Sequence, residues 1–162
     1  MKLDDIDYKI LDVLQRNAKT TTKELATIVG LSPSPVFERQ KRLERTGYIK
    51  KYIAVLDDRK LCNGITAFCN ITLKQHSKKM GEDFIDAIQA FDEIVECHNT
   101  SGDYDYMIKI LVRDMPTYQD FVLNKLGTLS SIGSIHTIFS MGEMKNDHYI
   151  PIQKPVEEED DN

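Results

Sequence analysis

The hydrophobic period of this chain changes once, near residue 60, and that change limits the fold more than any other feature. Before it, apolar residues recur at helical spacing: Ile6, Ile10, Val13 and Leu14, then Leu25, Ala26, Ile28 and Val29, then Val36 and Leu43. After it they alternate, with Ala67, Cys69, Ile71 and Leu73 interleaved with Phe68, Asn70 and Thr72, as in a half-buried strand. The 162 residues suffice for one ordinary domain or two small ones. The polar stretch 57–64, ending in the turn signal Asn63-Gly64, is the natural boundary.

Charge divides at the same place. The net charge of −5 argues against a nucleic-acid partner only while the chain is taken whole. Residues 1–60 hold 13 Lys and Arg against 9 Asp and Glu, and the remainder holds 8 against 17. The first part is therefore +4 and the second −9, so the negative part is expected to face away from any nucleic acid. No apolar run approaches the roughly 18 residues needed to cross a membrane, and the first five residues are acidic and lack a signal-peptide core. A cytoplasmic protein is expected. Three cysteines, Cys62, Cys69 and Cys97, are an odd number and read as reduced thiols.

Three helices are predicted in the first 46 residues. Asp4 caps the first, with Asp5 and Asp7 in its first turn. Thr21 and Glu24 form a capping box for the second, which Gly30 ends. Ser32 caps the third, with Pro33 at its first position, Pro35 tolerated in the first turn and Gly47 as the stop. Residues 48–56 read as extended. Strands are then expected from Ala67, over 94–100, 104–112 and 132–141, and helices through Met80, Phe84, Ile88 and Phe91 and from Pro116 through Tyr118, Phe121, Val122 and Leu126. The order βαββαβ is the ferredoxin-like arrangement, an antiparallel sheet with two helices on one face.

Two groups of residues carry chemistry. A helix, a Gly-containing turn and a second, basic helix is the helix-turn-helix pattern, and Arg39, Lys41, Arg42, Arg45, Lys50 and Lys51 outweigh Glu38 and Glu44 there. Ser32 and Ser34 sit where hydroxyls, free N–H groups and the helix dipole suit a phosphate. A solvated charged helix explains the same pattern. The second group is Ser101-Gly102-Asp103-Tyr104-Asp105-Tyr106. Its carboxylates fit an ordinary Asx turn, a site for a small polar molecule with an ammonium group, or an acid–base pair, though no nucleophile, metal cluster or phosphate loop accompanies them. Cys97 and His98 are adjacent on a strand and so point to opposite faces, which excludes a dyad. The four histidines lack metal-ligand spacing. Phe68, with Tyr104 and Tyr106 or Met107, is expected on a sheet face that no helix covers, a place for a symmetric partner.

The segments Leu3-Asp4-Asp5-Ile6-Asp7, Leu31-Ser32-Pro33-Ser34-Pro35-Val36 and Arg42-Leu43-Glu44-Arg45-Thr46-Gly47-Tyr48-Ile49, followed by Glu96-Cys97-His98 and the Ser101 to Tyr106 turn, resemble the Lrp/AsnC, or feast/famine, family of transcriptional regulators. The pattern spans about residues 3–150 and lies nearest the leucine-responsive regulatory protein branch. The resemblance implies an α+β chain: a winged or helix-turn-helix DNA-binding domain over 1–56, a linker over 57–64, and a ferredoxin-like effector-binding and oligomerisation (RAM) domain over 65–150. An acidic disordered tail over 151–162 lies outside the family pattern. By the same resemblance Ser32, Ser34, Pro35, Arg39, Lys41, Arg42 and Arg45 face double-stranded DNA. Asn99, Thr100, Gly102, Asp103, Tyr104, Asp105 and Thr137 line an amino-acid effector pocket. The implied protein is no enzyme, needs no cofactor or metal, and assembles from homodimers to an octamer or higher. Gln40 stands where the family usually has an apolar residue, and Phe37 is expected to take over its packing. A sensor that regulates another protein without touching DNA is the rival, against which the intact basic helix argues.

Overall fold

The structure, a computed structural model, describes residues 2–61 and 64–154. It divides into two compact units: Met1–Val55 with the segment from Asn146, and Leu56–Lys145.

The first unit holds α1 (Asp5–Arg16), α2 (Thr22–Val29) and α3 (Pro33–Arg45). Both predicted caps on the first two helices form. Asp4 and Asp7 make a reciprocal capping box on α1, and Thr21 N–H donates to Glu24 Oε2 at 2.7 Å on α2. Gly30 follows α2 at φ +73°, a left-handed conformation that disfavours side chains with a Cβ. Ser32 is the N-cap of α3 but makes no side-chain cap bond. A capping oxygen accepts from the second or third helical N–H; the third position is Pro35, which has none, and leaves only the Ser34 N–H. Ile10, Leu14, Leu25, Ala26, Val36 and Leu43 form the core. Ile28, expected among them, is 41% exposed. No strand is assigned in residues 48–56.

The segment from Asn146 lies on α1, so the second compact unit ends at Lys145, five residues before the expected boundary at 150. Ile150 N–H donates to Gln15 Oε1 at 3.1 Å, the Arg16 guanidinium sits 4.5 Å from the centre of the Tyr149 ring, and Lys154 pairs with Asp5. The first part of the expected tail, 151–154, is thus anchored on the helical unit through Lys154. Residues 155–162 lie outside the described residues, as does Cys62.

The second unit runs β1 (Ile65–Leu73), α4 (Lys78–Ile88), β2 (Ile94–Asn99), β3 (Tyr106–Val112), α5 (Met115–Asn124) and β4 (Ile132–Phe139), with sheet order β2-β3-β1-β4 and antiparallel neighbours throughout. This is the α+β, ferredoxin-like βαββαβ topology. The helices cover one face over Cys69, Ile71, Phe84, Ile108, Ile110, Phe121 and Leu126. Of the two residues offered for the uncovered face, Tyr106 or Met107, Tyr106 belongs to the covered one: it packs against this core and its ring centre lies 4.9 Å from that of Phe84. The residues opposite each other on the other face include Phe68 with Ile138 and Lys109 with Glu96.

Asp114 caps α5, accepting from the Thr117 N–H at 2.9 Å and the Thr117 hydroxyl at 2.6 Å. The Thr117 hydroxyl and N–H, with Arg113 beside them, hold the Asp114 carboxyl down at about 2 against an ordinary 3.8. A lowered native-state pKa contributes stability that is complete above the unfolded value and lost as pH falls through the native one. Asp114→Ala is therefore expected to be less stable than the parent at pH 6, with the gap closing between about pH 4 and pH 2, as read by urea unfolding at each pH.

Candidate nucleic-acid interface and effector site

One side of α3 is buried on the helical core through Val36 and Leu43, both fully inaccessible. Next to them the structure does something that the charge pattern alone does not show. Asp7 of α1 is 1% exposed, and Arg39 and Arg42 converge on it. Arg39 Nη1 donates to Asp7 Oδ1 at 2.8 Å and to Asp4 Oδ2 at 2.7 Å, and Arg42 Nη2 donates to Asp7 Oδ1 and Oδ2 at 2.7 and 2.6 Å. The Asp7 N–H, followed by the Arg39 guanidinium, holds the Asp4 carboxyl below its ordinary value. Hydrogen bonds to these two carboxylates raise the Arg39 pKa further. Arg42 Nε is buried and makes no bond among the described residues. Arg39 and Arg42 were expected free at the DNA face. In the structure both are bonded to carboxylates of α1, because a buried carboxylate needs charged donors to offset its desolvation. Sequence reading placed Asp7 in the first turn only for the helix dipole. The available signal was its place three residues after Asp4, facing two arginines three apart on another helix.

The opposite arc of α3 presents Ser34, Phe37, Glu38, Lys41 and Arg45, all exposed, with Ser32 and Pro35 exposed at its start. Lys41 pairs with Glu44 at 2.8 Å. Phe37 is 46% exposed and does not replace the packing at position 40. Gln40 itself is bonded to Tyr52 at 3.0 Å, and Tyr52 donates to Glu44 at 3.1 Å, so polar bonds hold that position in place of apolar contact.

In the second unit, Asp105 ties three strand ends together. Its Oδ2 accepts the Leu73 N–H at 2.7 Å and its Oδ1 lies 2.8 Å from His76 Nδ1. Its carbonyl accepts the Thr100 N–H and the Asn99 side-chain amide, both at 3.0 Å, and its own N–H donates to the Ile71 carbonyl at 2.9 Å. Leu73, His76, Asn99 and Asp105 border an open cleft of about 990 Å³, lined on one side by α4 and its N-terminal loop. Leu73, Ile85 and Tyr106 are its apolar lining; Lys78 and Lys79 supply positive charge, and Glu82, Asp83, Asp86 and Asp105 negative charge. Gly81 leaves room for the Tyr106 hydroxyl, which a Cβ there would meet at 2.8 Å.

The remaining expected pocket residues do not gather there. Thr137 is on β4, at the opposite edge of the sheet from Asn99 on β2, so one copy of the chain cannot bring both to one ligand. The Thr137 hydroxyl bonds Tyr118 Oη at 2.6 Å and Cys69 Sγ at 3.2 Å. Burial pushes the Tyr118 hydroxyl up to about 12 and the Cys69 thiol upward, which keeps both protonated. The Thr100 hydroxyl closes the turn onto the Tyr104 carbonyl at 2.7 Å. Gly102 is exposed at φ +109°, Asp103 is exposed, and the Tyr104 ring stacks along His136 at 6.1 Å. Asp103 is thus exposed, whereas the Asp105 carboxylate is taken up by the Leu73 N–H and His76. His76 was missed by sequence reading, which had no reason to bring it to Asp105 across 29 residues. Among the described residues, no group of His, Cys, Asp or Glu could hold a metal ion, and no helix is long and apolar enough to cross a membrane.

Comparison with known proteins agrees with both halves. Residues 3–50 match the model of a winged helix-turn-helix DNA-binding family, and residues 66–150 match that of the Lrp/AsnC ligand binding domain. The leucine-responsive regulatory protein of Haemophilus influenzae is 40% identical over 151 residues, covering 93% of this chain and 91% of that one. That of Escherichia coli K12 is 38% identical over 151 residues, covering 93% and 92%. Among solved structures, a transcriptional regulator from Neisseria meningitidis in complex with L-Met superposes with a TM-score of 0.88 at 33% identity, over 93% of this chain and 97% of that one. Escherichia coli AsnC gives 0.81 at 27%, over 96% and 99%.

Proposed function

From the premise that the chain belongs to the Lrp/AsnC family of transcriptional regulators, with a DNA-binding helix-turn-helix and an amino-acid-binding domain and no enzymatic role, we propose how its residues divide the work. The outward arc of α3 enters the major groove of double-stranded DNA. Ser32 and Ser34 meet phosphate at its N-terminus, where hydroxyls and unpaired N–H groups point outward. Pro35 packs beside them, and Lys41 and Arg45 meet the backbone further along. Arg39 and Arg42 act through Asp7, by holding α3 against α1.

The observation that carries this reading is the split of α3 into a side clasped by carboxylates and a side left open. Its test is duplex binding measured across salt concentrations. Lys41→Ala and Arg45→Ala are each expected to flatten the slope of log K against log salt by about 1 for every phosphate no longer neutralised. Arg39→Ala and Arg42→Ala are expected to weaken binding while leaving the slope near that of the parent. A flattened slope in these two would return them to the phosphate backbone.

The effector is an amino acid seated in the cleft beside Asn99 and Asp105. Positive and negative groups on an apolar lining suit a zwitterion with an apolar side chain. The Neisseria relative, solved with L-Met, supports this class of ligand. Dimers form through the uncovered sheet face, where Phe68, Met107 and Leu111 are half-buried and Ile138 is 52% exposed, and they assemble to an octamer or higher in the cytoplasm.

A further inference from the structure

We propose that Phe37 is a base-reading residue that recognises thymine through its 5-methyl group. The inference rests on α3 being the DNA-contacting helix and names a specificity within that reading.

An α-helix turns about 100° per residue, which puts positions 34, 37, 38, 41 and 45 on one arc, away from Val36 and Leu43. Four of the five are polar or charged. Phe37 is the exception: it is 46% exposed and is absent from the residues packed on the helical core. The fold cannot draw it inward by rotating α3, because Arg39 and Arg42 are bonded to Asp4 and Asp7 on the other side. Gln40 holds the inner position through Tyr52 and Glu44. The Lys41 ammonium lies 5.7 Å from the centre of the ring, which steadies the aromatic beside a group suited to phosphate.

A helix face carrying Lys41 and Arg45 next to an uncharged ring fits a duplex groove in both charge and chemistry. Phosphates take the cations. The groove's one apolar feature is the thymine methyl, the partner that an uncharged aromatic can find there.

The test uses the full chain. A duplex is selected from a randomised pool by gel shift, then remade with deoxyuridine replacing each thymine in turn. The parent protein is expected to lose about fourfold in affinity at one thymine per half-site, the worth of burying about one methyl group. Phe37→Ala is expected to bind thymine and uracil forms equally, at the affinity of the parent on the uracil form. Indifference of the parent to uracil at every thymine overturns the assignment without needing any variant to fold. A Phe37→Ala protein that keeps the full uracil penalty overturns it as well, and so does one that changes oligomeric state with no change in discrimination. Failure of the parent to bind any duplex removes the DNA reading of α3 itself, which separates that failure from this one.

Discussion

Asp7→Ala is expected to cost the helical unit about 3 kcal/mol, the largest stability effect of any ion-pair deletion among the described residues. Breaking a buried ion pair by deleting one partner typically costs about 3–5 kcal/mol, because the other charge is left uncompensated. The lower end applies here. Arg39 and Arg42 have 24% and 36% of their side chains exposed, so both can partly rehydrate once Asp7 is gone. Denaturant unfolding of the full chain measures the effect, and a double-mutant cycle with Arg42→Met isolates the pair. A coupling energy above about 1 kcal/mol is expected for directly bonded residues. Additive single effects would show that the clasp does not form in solution. The DNA affinity of Asp7→Asn should fall with that of Arg39→Ala, since both act through the seating of α3.

Asp105→Ala is expected to weaken amino-acid binding by more than tenfold. Its carboxylate accepts from Leu73 and pairs with His76, while the backbone carbonyl of the same residue accepts from Thr100 and Asn99. Loss of a charged hydrogen-bonding group costs about 1.5–3 kcal/mol, and every 1.4 kcal/mol is about tenfold in affinity. Asp105→Asn keeps an oxygen for the Leu73 N–H and removes the charge. It separates geometry from electrostatics: near-parent affinity in Asn with weakening in Ala points to shaping of the cleft, whereas equal weakening points to the carboxylate itself. Calorimetric titration with methionine on the full chain reads both, and an unchanged affinity in Asp105→Ala would take this residue out of the effector site.

Local chemistry made much of this fold readable before any coordinates. Thr21 and Glu24 three residues apart form a capping box wherever a helix starts there, and alternation from Ala67 to Leu73 dictates a strand with one buried face. Errors came where a neighbour outside the local pattern altered a preference. Ser32 has good capping chemistry, but Pro35 lacks the N–H it would accept. Alternation left open whether Tyr106 or Met107 faces outward until the pairing of Ile71 with Tyr106 placed Tyr106 on the helix-covered side. Strand order alone sets Thr137 on β4 and Asn99 on β2 at opposite edges of one sheet, which no local pattern shows.

The periods, caps and charge segregation of the chain determine by themselves that it is a basic three-helix unit joined to an acidic βαββαβ unit, because those signals depend on neighbours within a few residues. Which arginines hold the protein together and which remain for a partner was decided only by tertiary structure. All four basic residues of α3 are alike in sequence; a carboxylate buried 32 and 35 residues away claims Arg39 and Arg42, and leaves Lys41, Arg45 and the ring of Phe37 on the open side.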